Sequence, residues 1–132
     1  MSLSFNSQPT PRFRYSPAVR MGPFVKTAGM VGLCPESGEL VSGGAAAEFL
    51  QIIENLQALT EENKLPRVPV SATIYCTAFH RFAEINEIWD AHFAAAPTLP
   101  ARSAVGVSQL PIGAQVEADF LFYDAAGSSG YE

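Results

Sequence analysis

The sequence predicts an α+β layer, with two amphipathic helices lying on one face of a mixed β-sheet. Two segments, about residues 45–62 and 81–94, carry apolar residues at spacings of three and four. Alternating, β-branched runs flank and separate them, as strands do. The chain has 132 residues, 48% of them hydrophobic, which is enough for one core and too few for two.

The elements follow in order. Residues 1–11 are polar and Pro-containing, and read as a loose N-terminal arm before a single domain over 12–124. Residues 13–19 and 24–33 read as strands joined through Met21-Gly22-Pro23, and Pro35-Glu36-Ser37-Gly38 marks a second turn before a short strand at 39–41. Ser42-Gly43-Gly44 breaks the chain ahead of the first helix, whose stripe is Phe49, Ile52, Ile53, Leu56 and Leu59; Asn63 and Pro66 end it. Residues 70–77 are a strand by composition and alternation. The second helix presents Phe82, Ile85, Ile88, Trp89 and Phe93, and Pro97 and Pro100 close it. Strands at 103–107 and 114–123 complete the sheet, and the Gly/Ser-rich residues 125–132 read as a flexible tail.

Composition narrows the function. A net charge of -5 disfavours extended nucleic-acid binding, because neutralising phosphates calls for clustered Lys and Arg. The one basic cluster, Arg12, Arg14, Arg20 and Lys26, reads as solvated strand edges. Cys34 and Cys76 form no disulfide framework or CxxC motif, and His80 and His92 lack metal-motif spacing and read as surface helix residues. No apolar run reaches membrane-spanning length, so no membrane partner is expected and the chain reads as cytoplasmic.

Strand parity locates the candidate site. Val70, Ala72, Ile74 and Cys76 share a face, as do Val105 and Val107, and Val116, Ala118, Phe120 and Phe122; these are the expected partners of the helices. The opposite face carries Ser71, Thr73, Tyr75 and Thr77, then Ala104, Gly106 and Ser108, then Glu117, Asp119, Leu121 and Tyr123. It is too apolar for solvent and too polar for a helix-packed core, which predicts burial against another copy of the chain. The same parity puts Arg102 on the face of Glu117, with both at a subunit boundary.

Ionised side chains inside sheets are costly unless paired, solvated or used. Arg102 stands among small residues (Ala101, Ser103, Ala104, Gly106), where a guanidinium could grip a carboxylate bidentately. Glu117, in an otherwise apolar strand, could hold or deprotonate a water. The two suit a small 2-keto or 2-imino acid, and are equally compatible with a structural ion pair across an interface. Tyr15 is either a pocket wall or a packed strand residue, Gly29 either a place where backbone approaches a ligand or a plain bulge. Cys76 reads as a buried apolar residue, and no serine has a nucleophile's context.

The segments Pro100-Ala101-Arg102-Ser103-x-Val105, Leu110-Pro111 and Val116-Glu117 resemble the C-terminal signature of the RidA/YjgF family. Thr27-Ala28-Gly29, Pro35-Glu36-Ser37-Gly38-Glu39, Asn55-Leu56 and Ile85-Asn86-Glu87-Ile88-Trp89 with Phe93 add to a likeness covering roughly residues 12–124. The resemblance implies a chorismate-mutase-like fold and a homotrimer with clefts between subunits. It implies hydrolysis of 2-enamine and 2-imine acids, such as 2-aminoacrylate, to 2-keto acids and ammonia, with no metal or organic cofactor. By position, Arg102 would bind the substrate carboxylate, Glu117 would position water, Tyr15 would line the pocket, Gly29 would offer backbone contact, and Asn86 would stand nearby. Ala28 replaces a frequent serine, Ala104 a cysteine of some members, and Ala118 a larger aliphatic; all three are small, which bears on pocket size. The rival expectations are a deaminase of a larger, aminomuconate-type enamine, and a non-catalytic trimeric ligand-binding or chaperone-like module. Ribonuclease activity, a label of some relatives, is disfavoured by the acidic charge.

Overall fold

Gly22, at φ 59°, supplies the left-handed residue that lets strand β1 (Ala18–Met21) fold back on β2 (Phe24–Thr27), with Met21 opposite Phe24. The computed structural model describes residues 2–126. After this hairpin come helix α1 (Ala45–Asn63), strand β3 (Ser71–Cys76), a 3-10 turn at Phe79–Arg81, helix α2 (Phe82–His92), strand β4 (Ala101–Gly106), a 3-10 turn at Pro111–Gly113 and strand β5 (Val116–Tyr123). The sheet order is β1-β2-β5-β3-β4. The last strand in sequence lies at the centre, antiparallel to β2 and β3, while β4 runs parallel to β3 after the α2 crossover.

Both helices cover one face of this mixed sheet. Phe49, Ile52, Leu56 and Leu59 of α1 and Phe82, Ile85 and Trp89 of α2 are buried against Val25, Ala72, Ile74, Cys76, Val116, Ala118, Phe120 and Phe122. Cys76 is a core residue, and burial pushes its thiol pKa up. The uncovered face is unusual for a solvent surface: Val19, Met21, Phe24, Val105 and Tyr123 are exposed there, around an ion pair between Lys26 and Asp119 (3.5 Å).

Several expectations change. The N-terminal arm is fastened rather than loose: Ser4 and Asn63 exchange two hydrogen bonds, and Glu62 accepts from the N–H groups of Asn6 and Ser7 and from the Ser7 hydroxyl. These bonds hold the Glu62 carboxyl below its usual pKa. The strand expected at 13–19 begins only at Ala18 and runs on to Met21, because residues 11–16 leave the sheet to form a wall of the cleft described below. The strand expected at 39–41 is reduced to a single bridge between Leu33 and Leu40. Arg20 is no solvated edge residue. It pairs with Asp124 at 3.3 Å, and the two side chains are 8% and 11% exposed. His92 is half-buried under Arg67, and desolvation followed by that neighbouring charge lowers its pKa. The tail expected over 125–132 lies, from residue 127 onward, outside the described residues.

Candidate functional site

A one-residue slip in register builds the site. β2 pairs with β5 as Val25 opposite Phe122 and Lys26 opposite Leu121; continuing that register would set Met30 opposite Glu117, but Met30 lies opposite Ala118. One extra residue is therefore accommodated between Thr27 and Met30, a β-bulge. The Thr27 hydroxyl accepts the Phe120 N–H (3.0 Å) where the ladder parts, and Met30 and Ala118 exchange two backbone bonds where it resumes. Ala28 and Gly29 span the bulge. A Cβ on Gly29 would stand 2.8 Å from Cδ of Glu117 and 3.2 Å from its Cγ, so the carboxylate of Glu117 lies directly on the glycine. Of the two readings of Gly29, the bulge is what the register shows, and the group packed against the missing side chain is Glu117. Behind it, buried Asn55 of α1 donates to the Leu33 carbonyl (2.9 Å), tying the bulged segment to the helix layer.

Glu117 and Gly29 lie in a cleft of about 310 Å³ whose other walls are Arg12, Phe13, Tyr15, Ala28, Val31, Leu33, Pro111 and Ile112. A smaller cavity of about 60 Å³ continues past Tyr15 and Ala28 toward Asn55 and Leu59. The outer wall is raw: Phe13 is 69% exposed and Tyr15 51%. Arg12 crosses it and donates to the Gly38 carbonyl. Ile112, a β-branched residue at φ 54°, holds the opposite lip in a strained left-handed conformation.

Within this apolar setting Glu117 is half-buried and, among the described residues, has no hydrogen-bond or ion-pair partner. Desolvation raises its pKa above the usual carboxylate value, and the charge of Asp119, two residues along the same face, adds to the rise. A carboxylate with free lone pairs and a raised pKa is chemically equipped to hold a water and to exchange a proton with it.

The expected pairing of Arg102 with Glu117 on one face is overturned by register. Arg102 stands opposite Ala72, which stands opposite Phe120 on the helix side; Glu117 stands opposite Tyr75 on the uncovered side. All of β4 is reversed in this way: Arg102, Ala104 and Gly106 face the helices, whereas Ser103 and Val105 share the uncovered face with Glu117. Parity groups residues by face, but on an edge strand of small residues it does not say which group turns inward. The Arg102 guanidinium lies over Trp89 (4.9 Å to the ring centroid) and Phe82 (5.4 Å), and it has no anionic partner among the described residues.

Of the expected site residues, Glu117, Gly29, Ala28 and Tyr15 meet in the cleft. Arg102, Ala104 on β4 and Asn86 on α2 do not line it. Ala118 is fully buried in the core, so neither it nor Ala104 sets the cleft's volume. Arg12, Phe13, Val31, Leu33 and Ile112 are wall residues that sequence reasoning passed over. The Leu110-Pro111 motif was the available signal for Ile112, whereas nothing in the 11–16 segment announces a wall. Among the described residues, no group of three or more His, Cys, Asp or Glu could hold a metal ion, and no helix is long and apolar enough to cross a membrane.

The family model for endoribonuclease L-PSP matches residues 5–123. A RutC family protein of Aquifex aeolicus is 40% identical over 114 residues, 86% of this chain and 90% of the relative. The mouse protein named 2-iminobutanoate/2-iminopropanoate deaminase is 34% identical over 81% of this chain and 78% of its own. The crystal structure of RidA from the Antarctic bacterium Psychrobacter superposes with a TM-score of 0.84 at 32% identity, covering 93% of this chain and 98% of that one.

Proposed function

Because the chain belongs to the RidA/YjgF (endoribonuclease L-PSP) family, we propose that it hydrolyses small 2-enamine and 2-imine acids of the 2-aminoacrylate type to 2-keto acids and ammonia. The observation that carries this reading is the carboxylate of Glu117, unpartnered among the described residues and seated on Gly29 in an apolar cleft. The deaminase name carried by relatives at about one-third identity agrees with it.

The chemistry asks little of the protein. A water held by Glu117 adds through oxygen to the imine carbon while its proton passes to the carboxylate. That proton is returned to the imine nitrogen to give the tetrahedral hemiaminal, which collapses as the hydroxyl proton follows the same route through the carboxylate to nitrogen, ammonia leaves and the C=O of the keto acid forms in place of C=N. A raised pKa suits both transfers, since the group must accept a proton and then release it near neutral pH. Imines hydrolyse unaided, so orienting the water and the imine carbon supplies the acceleration.

Orientation needs an anchor for the substrate carboxylate. We assign that role to Arg102, supplied by a neighbouring protomer, because within one chain it stands on the opposite side of the sheet from Glu117. The exposed apolar residues of the uncovered face and the raw wall at Phe13 and Tyr15 support self-association, which the reading takes to be a homotrimer. The test generates 2-aminoacrylate with a dehydratase and times keto-acid appearance. Wild-type protein should accelerate it and Arg102→Ala should not; equal rates with the two proteins would refute the reading.

A second reading keeps the chemistry and enlarges the substrate. Arg12 on the cleft wall suits a second carboxylate, as in an aminomuconate-type enamine. A higher kcat/KM for such a dianion than for 2-aminoacrylate, lowered by Arg12→Ala, would select it.

A further inference from the structure

We propose that Trp89 and Phe82 are positioning residues that form an aromatic bracket, holding the Arg102 guanidinium ready for a substrate carboxylate. The inference rests on the reading of Arg102 as the carboxylate anchor. It adds how an otherwise long, flexible side chain is kept in one place.

The geometry starts from helix periodicity. Phe82 and Trp89 are seven residues apart, two turns of α2, and so present their rings on the same side of the helix. Both are core residues, 7% and 5% exposed, which fixes the rings. Trp89 is further braced by Phe93 (centroids 4.6 Å apart) and Phe82 by Phe79 (4.9 Å, stacked). β4 runs alongside with residues small enough to let the rings approach: a Cβ at Gly106 would already touch Phe79 at 3.6 Å. Arg102, by contrast, stands on a strand exposed along its whole length. Its guanidinium lies within about 6 Å of both ring centroids, the range in which the ring quadrupole attracts a cation.

Among the described residues Arg102 therefore has neighbours without having partners. A carboxylate neighbour would satisfy its charge and compete with any ligand. Ring faces attract the cation while accepting none of its in-plane N–H bonds, so the donor fork stays free for a carboxylate. The stem is also relieved of much of the rotamer freedom that binding would otherwise have to remove.

Trp89 is the only tryptophan in the chain, so its emission reports on the bracket directly. Arg102→Gln, which removes the cation, should shift the Trp89 emission maximum of the unliganded protein; superimposable spectra would overturn the inference. In the 2-aminoacrylate assay, Trp89→Leu should raise KM about five- to tenfold with kcat within about twofold, as expected when a binding interaction remote from the reacting carbon is loosened. Trp89→Phe, which keeps a ring, should restore KM to within about threefold of wild type. Thermal melts identify a variant that is merely unfolded, and in that event Phe82→Leu against Phe82→Tyr gives the same comparison on the second ring. A leucine variant with wild-type KM, or a kcat loss equal for the ring-bearing and ringless variants, would refute the bracket. Either result would leave the anchor role intact if Arg102→Ala is inactive; an active Arg102→Ala would instead remove the anchor itself.

Discussion

Replacing Gly29 by alanine should separate activity from stability. The backbone at Gly29 is outside the left-handed region, so alanine is conformationally acceptable there. What changes is space. The new methyl would lie 2.8 Å from Cδ and 3.2 Å from Cγ of Glu117, where ordinary carbon–carbon contact needs about 3.5–4.0 Å. The carboxylate must therefore retreat by about 1 Å, and a displacement of that size at a positioned catalytic group costs about 100-fold in rate. In activation free energy this is about 2.7 kcal/mol. Stability should barely move, because Glu117 can swing into the open cleft and alanine returns about 0.4–1 kcal/mol by restricting the unfolded chain. Steady-state kinetics in the dehydratase-coupled assay, with a thermal melt of the same sample, reads both quantities. A Gly29→Ala protein with wild-type kcat/KM would show that the Glu117 carboxylate does not act from the place it occupies on Gly29.

Three further outcomes follow from the same geometry. Activity should require ionised Glu117, so kcat/KM should fall on the acid side around a pKa displaced upward by burial; Asp119→Asn removes the second cause of that rise and should move the limb to lower pH by less than about one unit, given solvent screening. Glu117→Gln should abolish turnover yet raise Tm at pH 7–8. A folded pKa above the unfolded one favours the protonated form, so stability present below the unfolded value is lost as pH rises through the folded value, and the glutamine escapes that loss. The Tm advantage should vanish toward pH 4, and an advantage independent of pH would contradict the assignment. Asp124→Ala should cost about 3–5 kcal/mol by chemical denaturation, because it strands the buried Arg20 guanidinium, whose Nε and Nη1 have no partner among the described residues. A loss below about 1 kcal/mol would mean that the pair is solvated.

Element type and order were legible because they rest on strong periodic signals. The stripe of α1 and the alternation of β3 and β5 each carry one consistent period, and the structure follows them. The bounds failed where a tertiary feature overrode local preference. Residues 24–33 read as one strand, and the bulge at Gly29 divides it; no local cue states that a carboxylate from β5 will occupy the vacant Cβ position. Parity failed on β4 for a different reason. Arg102, Ala104 and Gly106 are poor markers of a core face, while Val105 and Val107 are good ones, yet on the helix side the rings of Phe79, Phe82 and Trp89 lie against Gly106 and Arg102. The face of Glu117 was read correctly because β5 carries an unbroken apolar alternation on its other side.

If each working site joins Arg102 of one protomer to Glu117 of another, two inactive variants should complement each other in mixed oligomers. Arg102→Ala and Glu117→Gln, each inactive alone, should regain about a quarter of wild-type activity per site when unfolded together in equal amounts and refolded, since a random assembly gives that share of clefts both intact groups. Mixed oligomers that form, as mass spectrometry would show, and still have no activity would contradict it.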